Sequence, residues 1–118
     1  NFKKSDIFKI SLKHKFDLII SNPPYINYND YQLLDKTVKD YEPAIALTDF
    51  NDGYSFYECF VKIFEKNINP GGMMLLEIGD EMMQKKIEKI FKSFKTQLTW
   101  HKDLNGQYRF IQIINGNI

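Results

Sequence analysis

Phe16–Ser21 (FDLIIS) is a short apolar run that ends at Asn22-Pro23-Pro24. Six such residues carry no helical stripe, and a near-continuous apolar run of this length reads as a buried parallel strand. The two prolines end it sharply, because proline lacks an N–H donor and pushes the residue before it out of helical geometry. A buried parallel strand needs a crossover and helices to cover it, so the rest of the chain has to supply both.

It does so in a regular order. Residues 26–53 are polar and aromatic without steady periodicity, and read as a long loop with a short helix near Gln32–Val38. Loops of this length inside compact domains are usually functional or disordered. In Tyr54–Asn67 and just beyond, Tyr57, Phe60, Val61, Phe64 and Ile68 keep the spacing of an amphipathic helix. Pro70-Gly71-Gly72 breaks it, and Met73–Ile78 (MMLLEI) is a second buried strand closed by Gly79. Asp80–Phe94 is a second helix, with Met83, Ile87, Ile90, Phe91 and Phe94 on one face. Thr96–His101 and Tyr108–Ile114 are β-rich and are joined through an Asn105-Gly106 turn. Strand, helix, strand, helix, strand, strand predicts the α/β class: half of a doubly wound sheet with parallel strands, finished by an antiparallel hairpin.

The 118 residues make one domain at most. A hydrophobic content of 43% places the chain among globular rather than disordered sequences. The net charge of +1, with acids and bases interspersed, argues against a large electrostatic grip on nucleic acid. Cys59 is the one cysteine, so neither an internal disulfide nor a cysteine metal cluster is expected, which suits a reducing cytoplasm. No apolar run approaches the length of a membrane span, and no signal peptide is visible. Asn1 opens the chain without a methionine, as expected of part of a longer protein.

Asn22-Pro23-Pro24-Tyr25 falls at the carboxyl end of a strand, where open α/β sheets keep their chemistry. An amide or exocyclic amino nitrogen is a poor nucleophile because its lone pair is delocalised. Two fixed hydrogen-bond acceptors can hold its N–H groups and turn the lone pair toward an electrophile. Asn22 offers a side-chain oxygen, and Pro23 offers a carbonyl whose direction the two prolines stiffen. Tyr25 offers a flat surface for a planar target. Positioning and fixed dipoles then do most of the work, without a strong base before attack. Alone, Asn-Pro-Pro is also open to the plainer reading of a strand stop. Directly after FDLIIS, the chemical reading outweighs it.

FDLIISNPPYI resembles the fourth strand and catalytic loop of amino-methylating class I methyltransferases, which act on DNA adenine, RNA bases or protein glutamine. Tyr41–Leu47 (YEPAIAL), Asp52-Gly53 and Tyr57 resemble the stretch that follows in the HemK family of protein-(glutamine-N5) methyltransferases. Gly71–Gly79 resembles that family's fifth strand, and Lys102–Gly106 with Arg109 its closing hairpin, so the likeness runs from about Ser5 to Ile114. Tyr108 stands where an acid is common in the family.

The resemblance implies the C-terminal part of a catalytic domain. Its methyl donor would be S-adenosylmethionine, with no metal, and its protein substrate a peptide chain release factor. It implies that Asn22, Pro23, Pro24 and Tyr25 are catalytic, that Asn22, Pro23, Tyr25 and Glu42 shape the substrate slot, and that Asp6, Ile7 and Asn22 touch the cofactor. Ser5–Phe8 would be the end of the third strand, although Asp6 also reads as an exposed turn or capping residue. The cofactor's Gly-rich loop and ribose acid are expected upstream of Asn1, since Gly71-Gly72 precedes a strand.

Glu77, inside a predicted buried strand, needs partners. Arg109 is open to two roles, anchoring the hairpin or meeting an acidic substrate. Cys59 and the pairs Met73-Met74 and Met82-Met83 read as packing residues, His14 and His101 as surface residues, and Lys85, Lys86 and Lys89 as a solvated face. The rival readings are an adenine-N6 nucleic-acid methyltransferase and a non-catalytic binding module. Standing alone, the chain is expected to bind the cofactor weakly and to self-associate through the open edge beside Phe16–Ser21.

Overall fold

The computed structural model describes residues 1–92 and 96–116. β1 (Phe16–Ser21), β2 (Ile68–Glu77), β3 (Thr96–Lys102) and β4 (Tyr108–Asn115) form one sheet in the order β1-β2-β4-β3. β1 and β2 are parallel, and β4 lies antiparallel between β2 and β3. The half-sheet and closing hairpin expected from the sequence are therefore present.

The crossover from β1 to β2 carries α1 (Tyr28–Gln32), α2 (Lys36–Tyr41), α3 (Ala44–Leu47) and the longer α4 (Ser55–Asn67). The single short helix expected near Gln32–Val38 is thus replaced by three. Asn27 starts the first, because its side chain accepts from the Asp30 amide at 2.9 Å. Pro43 precedes the third, where its missing donor costs nothing. After β2, a 3₁₀ turn (Glu81–Met83) capped by Asp80 leads into α5 (Gln84–Phe91). Phe94, assigned to that helix by periodicity, lies outside the described residues.

The core sits on one face of the sheet. Met74, Leu76 and Ile78 of the second strand and its end, with Ile111 and Ile113 of the fourth, pack against Tyr57, Phe60 and Phe64 of α4 and Ile87 and Phe91 of α5. Burying each such side chain contributes about 1.5–3 kcal/mol. Phe64 and Phe91 meet edge to face at 6.5 Å between centroids, which joins the two helices. Met83 is buried as expected, but Met82 is 88% exposed because the turn before α5 points it outward.

The expectation that β1 is buried is corrected. It is an edge strand, with Leu18 50% and Ile20 66% exposed, because among the described residues β1 pairs with β2 alone. Between Phe16 and Leu18 the pairing skips from Ile68 to Met73, so Asn69–Gly72 bulges out of the ladder. A Cβ on Gly72 would approach the carbonyls of Asn69 and Asp17 to 3.0 Å, which is why a glycine stands there. Residues 5–8 do not form the end of a strand. The Asp6 carbonyl accepts from Lys9 and Ile10 and its carboxylate from Phe8 at 3.0 Å, closing a turn where no neighbouring strand offers pairing.

Candidate functional site

β1 delivers Asn22-Pro23-Pro24-Tyr25 to the carboxyl end of the sheet. Asn22 is exposed, Pro23 buried, and Pro24 and Tyr25 half-buried. Among the described residues, no hydrogen bond uses the Asn22 side chain or the Pro23 carbonyl. Two consecutive residues at a strand end thus carry acceptors without an intramolecular partner among the described residues.

Tyr25 is held from two sides. A Cβ on Gly79, just past β2, would lie 2.5 Å from Tyr25 Cδ2 and 2.8 Å from Cε2, so the ring rests directly on that glycine. A Cβ on Gly53, whose φ is +90°, would lie 2.5 Å from the Tyr25 carbonyl oxygen. Only glycine meets both demands at position 53. Beyond Tyr25, Ile26 donates to the Leu47 carbonyl at 3.0 Å and Tyr28 to that of Asn51 at 2.9 Å. The long loop therefore returns to lie beside the motif.

Asp49 shapes this return. Its carboxylate accepts from the amides of Asn51 at 2.9 Å and of Gly53 and Ser55 at 3.0 Å, fixing the turn into α4. The signal for Asp49 was present in the run Thr48-Asp49-Phe50-Asn51-Asp52-Gly53, dense in turn and capping residues just before a helix. In the core behind it, the buried Tyr57 hydroxyl donates to the Glu77 carbonyl at 2.7 Å. Burial pushes the Tyr57 phenol far up, so it remains a donor.

A cleft of about 400 Å³ opens beside Tyr25, bordered also by Asn27, Tyr54, Gly79 and Met83. A larger, more open hollow of about 630 Å³ lies between α1 and Phe50–Asp52. Tyr25 borders only the first, so the first is the one continuous with the motif. Two of its lining residues are engaged by Lys86, which is bonded to Asp52 at 2.7 Å and lies 4.1 Å from the centre of the Tyr54 ring.

The remaining site candidates are not gathered by bonds. Glu42 is exposed at the end of α2, and no hydrogen bond or ion pair joins it to Asn22 or Tyr25. Asp6 is engaged by Phe8 and by Lys9 at 3.7 Å, while the Ile7 carbonyl accepts from the Cys59 thiol. Burial pushes that thiol up, in keeping with a packing role. Glu77 is half-buried on the sheet face away from the core, with no side-chain hydrogen bond among the described residues. Arg109 is engaged within the chain: it meets Asp103 at 3.3 Å and donates to the Gly79 carbonyl. Among the described residues, no group of three or more His, Cys, Asp or Glu side chains could hold a metal ion, and no helix is long and apolar enough to cross a membrane.

The sequence profile of the Eco57I restriction-modification methylases matches residues 1–113. The chain belongs to this methylase family. The chain is 39% identical over 113 residues to a release factor glutamine methyltransferase of Fusobacterium nucleatum, covering 94% of this chain and 32% of that protein. It is 41% identical over 114 residues to one of Clostridium botulinum, covering 92% and 39%. The resemblance to the HemK family read from the sequence is thereby borne out, and the chain spans about a third of the length of these relatives. A methyltransferase from Pyrococcus furiosus superposes with a TM-score of 0.59 at 21% identity, covering 91% of this chain and 44% of that one, which supports the fold. The resemblance assigns Asp6, Ile7 and Asn22 to the S-adenosylmethionine of such enzymes. Asn22 presents a free amide and Ile7 a half-buried apolar side chain, while Gly71-Gly72 belongs to a bulge rather than a strand-to-helix loop.

Proposed function

We propose that these residues form the target-holding, C-terminal part of an S-adenosylmethionine-dependent methyltransferase acting on the side-chain amide nitrogen of a glutamine in a peptide chain release factor. The observation that carries the reading is the free acceptor pair, Asn22 and Pro23, at the end of β1. The relatives named for that activity align over about nine-tenths of the chain and support it.

In this account the Asn22 side-chain oxygen and the Pro23 carbonyl accept the two N–H groups of the target amide. Pro24 stiffens the carbonyl's direction. Tyr25, seated on Gly79, gives the amide a flat wall. Held this way, the nitrogen's lone pair is turned outward and the entropic part of the barrier is met in advance. Bound S-adenosylmethionine supplies the methyl group, with Asp6, Ile7 and Asn22 on its side of the site. Glu42 shapes the slot where the protein segment enters. The Gly-rich loop and ribose-binding acid lie upstream of these residues. The whole acts in the cytoplasm and uses no metal.

The match to a restriction-modification methylase profile favours one other reading, methylation of an adenine amino group in DNA by the same tetrapeptide. Radiolabelled methyl transfer, offered release factor and duplex DNA in parallel, separates the two. Labelling of the release factor glutamine alone is the expected result; labelling of DNA alone would replace the proposal with its rival.

A further inference from the structure

We infer that Arg109 is a positioning residue for this site, acting through Gly79 on the ring of Tyr25. The inference rests on the methyl-transfer reading for its kinetic test, but its geometry is independent of the substrate.

The Arg109 guanidinium has three partners. It donates to the Gly79 carbonyl, to Asp103 Oδ2 at 3.3 Å and to Gln107 Oε1 at 3.3 Å. Asp103 is itself fixed: its Oδ1 accepts from the Asn105 amide at 2.9 Å and the Gln107 amide at 3.1 Å. These bonds hold its carboxyl below the usual carboxylate range, the Gln107 amide foremost, so it stays charged beside the arginine. A planar fork held by two hairpin side chains leaves its remaining donors aimed in one direction. That direction is the backbone of Gly79, on which the Tyr25 ring lies.

The hairpin does not need this side chain to stay in place. β4 is already paired with β2 from Met73 to Glu77 and with β3 along its length, and the Arg109 carbonyl accepts from the Ile78 amide at 2.8 Å. What the guanidinium adds is a fixed Gly79 carbonyl one residue beyond that ladder. Gly79 follows Ile78, precedes the turn into α5 and has the freedom of a glycine, so without the arginine its peptide can rotate. The wall under Tyr25 would rotate with it. Asp103, Arg109, Gly79 and Tyr25 thus form a continuous line of contact from the hairpin to the target slot.

The test uses Arg109→Ala, Arg109→Lys, Tyr25→Ala and the Arg109→Ala/Tyr25→Ala pair, in a full-length protein carrying this chain. Arg109→Ala is expected to lower kcat for glutamine methylation by about tenfold to a hundredfold, the scale of a misplaced reacting group. Cofactor Kd should stay within about twofold, and in the Tyr25→Ala background the same change should cost less than about twofold. Arg109→Lys should recover part of the loss. Gly79→Ala, which keeps the arginine but drives a methyl into the ring, should reproduce the kcat loss if the alanine variant folds poorly. A fluorotyrosine placed at position 25 reads the ring directly: its ¹⁹F signal should move on Arg109→Ala. If the unmutated protein methylates no glutamine, the proposed function fails while the fluorine shift still decides the role of Arg109. An unmoved fluorine signal, or kinetic losses from Arg109→Ala and Tyr25→Ala that simply multiply, would overturn the inference.

Discussion

Both carboxylate oxygens of Asp49 accept the backbone amide of Gly53, each at 3.0 Å. That bond presses Gly53 against the Tyr25 carbonyl and couples the start of α4 to the strand-end motif. Asp49 also takes the amides of Asn51 and Ser55. Asp49→Ala should therefore lower stability by at least about 2 kcal/mol, since hydrogen bonds to charged groups contribute about 1.5–3 kcal/mol each. Urea denaturation checks this, and a loss below half a unit would show that water replaces the carboxylate.

Tyr25 should tolerate phenylalanine far better than alanine. No hydrogen bond among the described residues uses its hydroxyl, whereas its ring covers Gly79. In methyl-transfer assays Tyr25→Phe should stay within a few-fold of the unmutated protein and Tyr25→Ala should fall well below it. Equal damage from both would assign the work to the hydroxyl.

Phe50 has a φ of +58°, a left-handed conformation that a bulky side chain rarely adopts. The Thr48 hydroxyl accepts its amide at 3.0 Å and holds the turn. Any Cβ there costs roughly 1–2 kcal/mol that glycine avoids. Phe50→Gly should hence be more stable than Phe50→Ala by about 1 kcal/mol, the reverse of the usual order. Thermal or urea melts of the two variants decide it, and alanine matching glycine would mean that the turn relaxes.

The Asp52–Lys86 pair gives a signed pH dependence. The hydrogen bond from Lys86 holds the Asp52 carboxyl below the usual carboxylate range, and the same bond holds Lys86 above the ordinary lysine value. The Asp52 contribution is full above the unfolded carboxylate value and is lost as pH falls through the lowered folded one. The Lys86 contribution is full below the unfolded lysine value and is lost as pH rises through the raised folded one. Both side chains are 46% exposed, so solvent limits the pair to no more than about 1 kcal/mol. Lys86→Met should cost stability at neutral pH and less below the carboxylate range, where the contact with Tyr54 remains. A cost independent of pH would deny the ion pair its role.

As it stands, the chain should self-associate and bind S-adenosylmethionine weakly. β1 presents an open edge, with Phe16, Leu18 and Ile20 exposed beside it. Met73, Leu75 and Phe110 line an apolar hollow on the uncovered sheet face. Sedimentation velocity with calorimetry on the isolated chain tests both. A strict monomer with micromolar cofactor affinity would contradict the prediction.

Much of the frame was legible in the sequence because it rests on local signals. FDLIIS and MMLLEI are apolar runs stopped by proline or glycine, and Tyr57, Phe60 and Phe64 keep a helical period that the core uses. Asn22–Tyr25 was readable because its place at a strand end is a local fact. The three short helices were not, since they depend on the Asn27 cap and on Ile26 pairing back to Leu47, twenty-one residues later. Nor was the exposure of Leu18 and Ile20, because burial depends on which strand lies alongside. The contacts of Arg109 required knowing that the hairpin passes the end of β2, a tertiary fact that no spacing records.

The most direct test of the central claim is Asn22→Ala, assayed in a full-length protein carrying this chain, with kcat for release factor glutamine methylation and cofactor Kd measured together. In the proposed account Asn22 holds the reacting nitrogen, and losing one preorganised partner in such a site costs about 2.7–4 kcal/mol, or roughly 10²–10³ in kcat. The account predicts that fall with cofactor affinity changed much less. Turnover within about twofold of the unmutated protein would contradict the assignment of Asn22 and, with it, the acceptor pair at the end of β1.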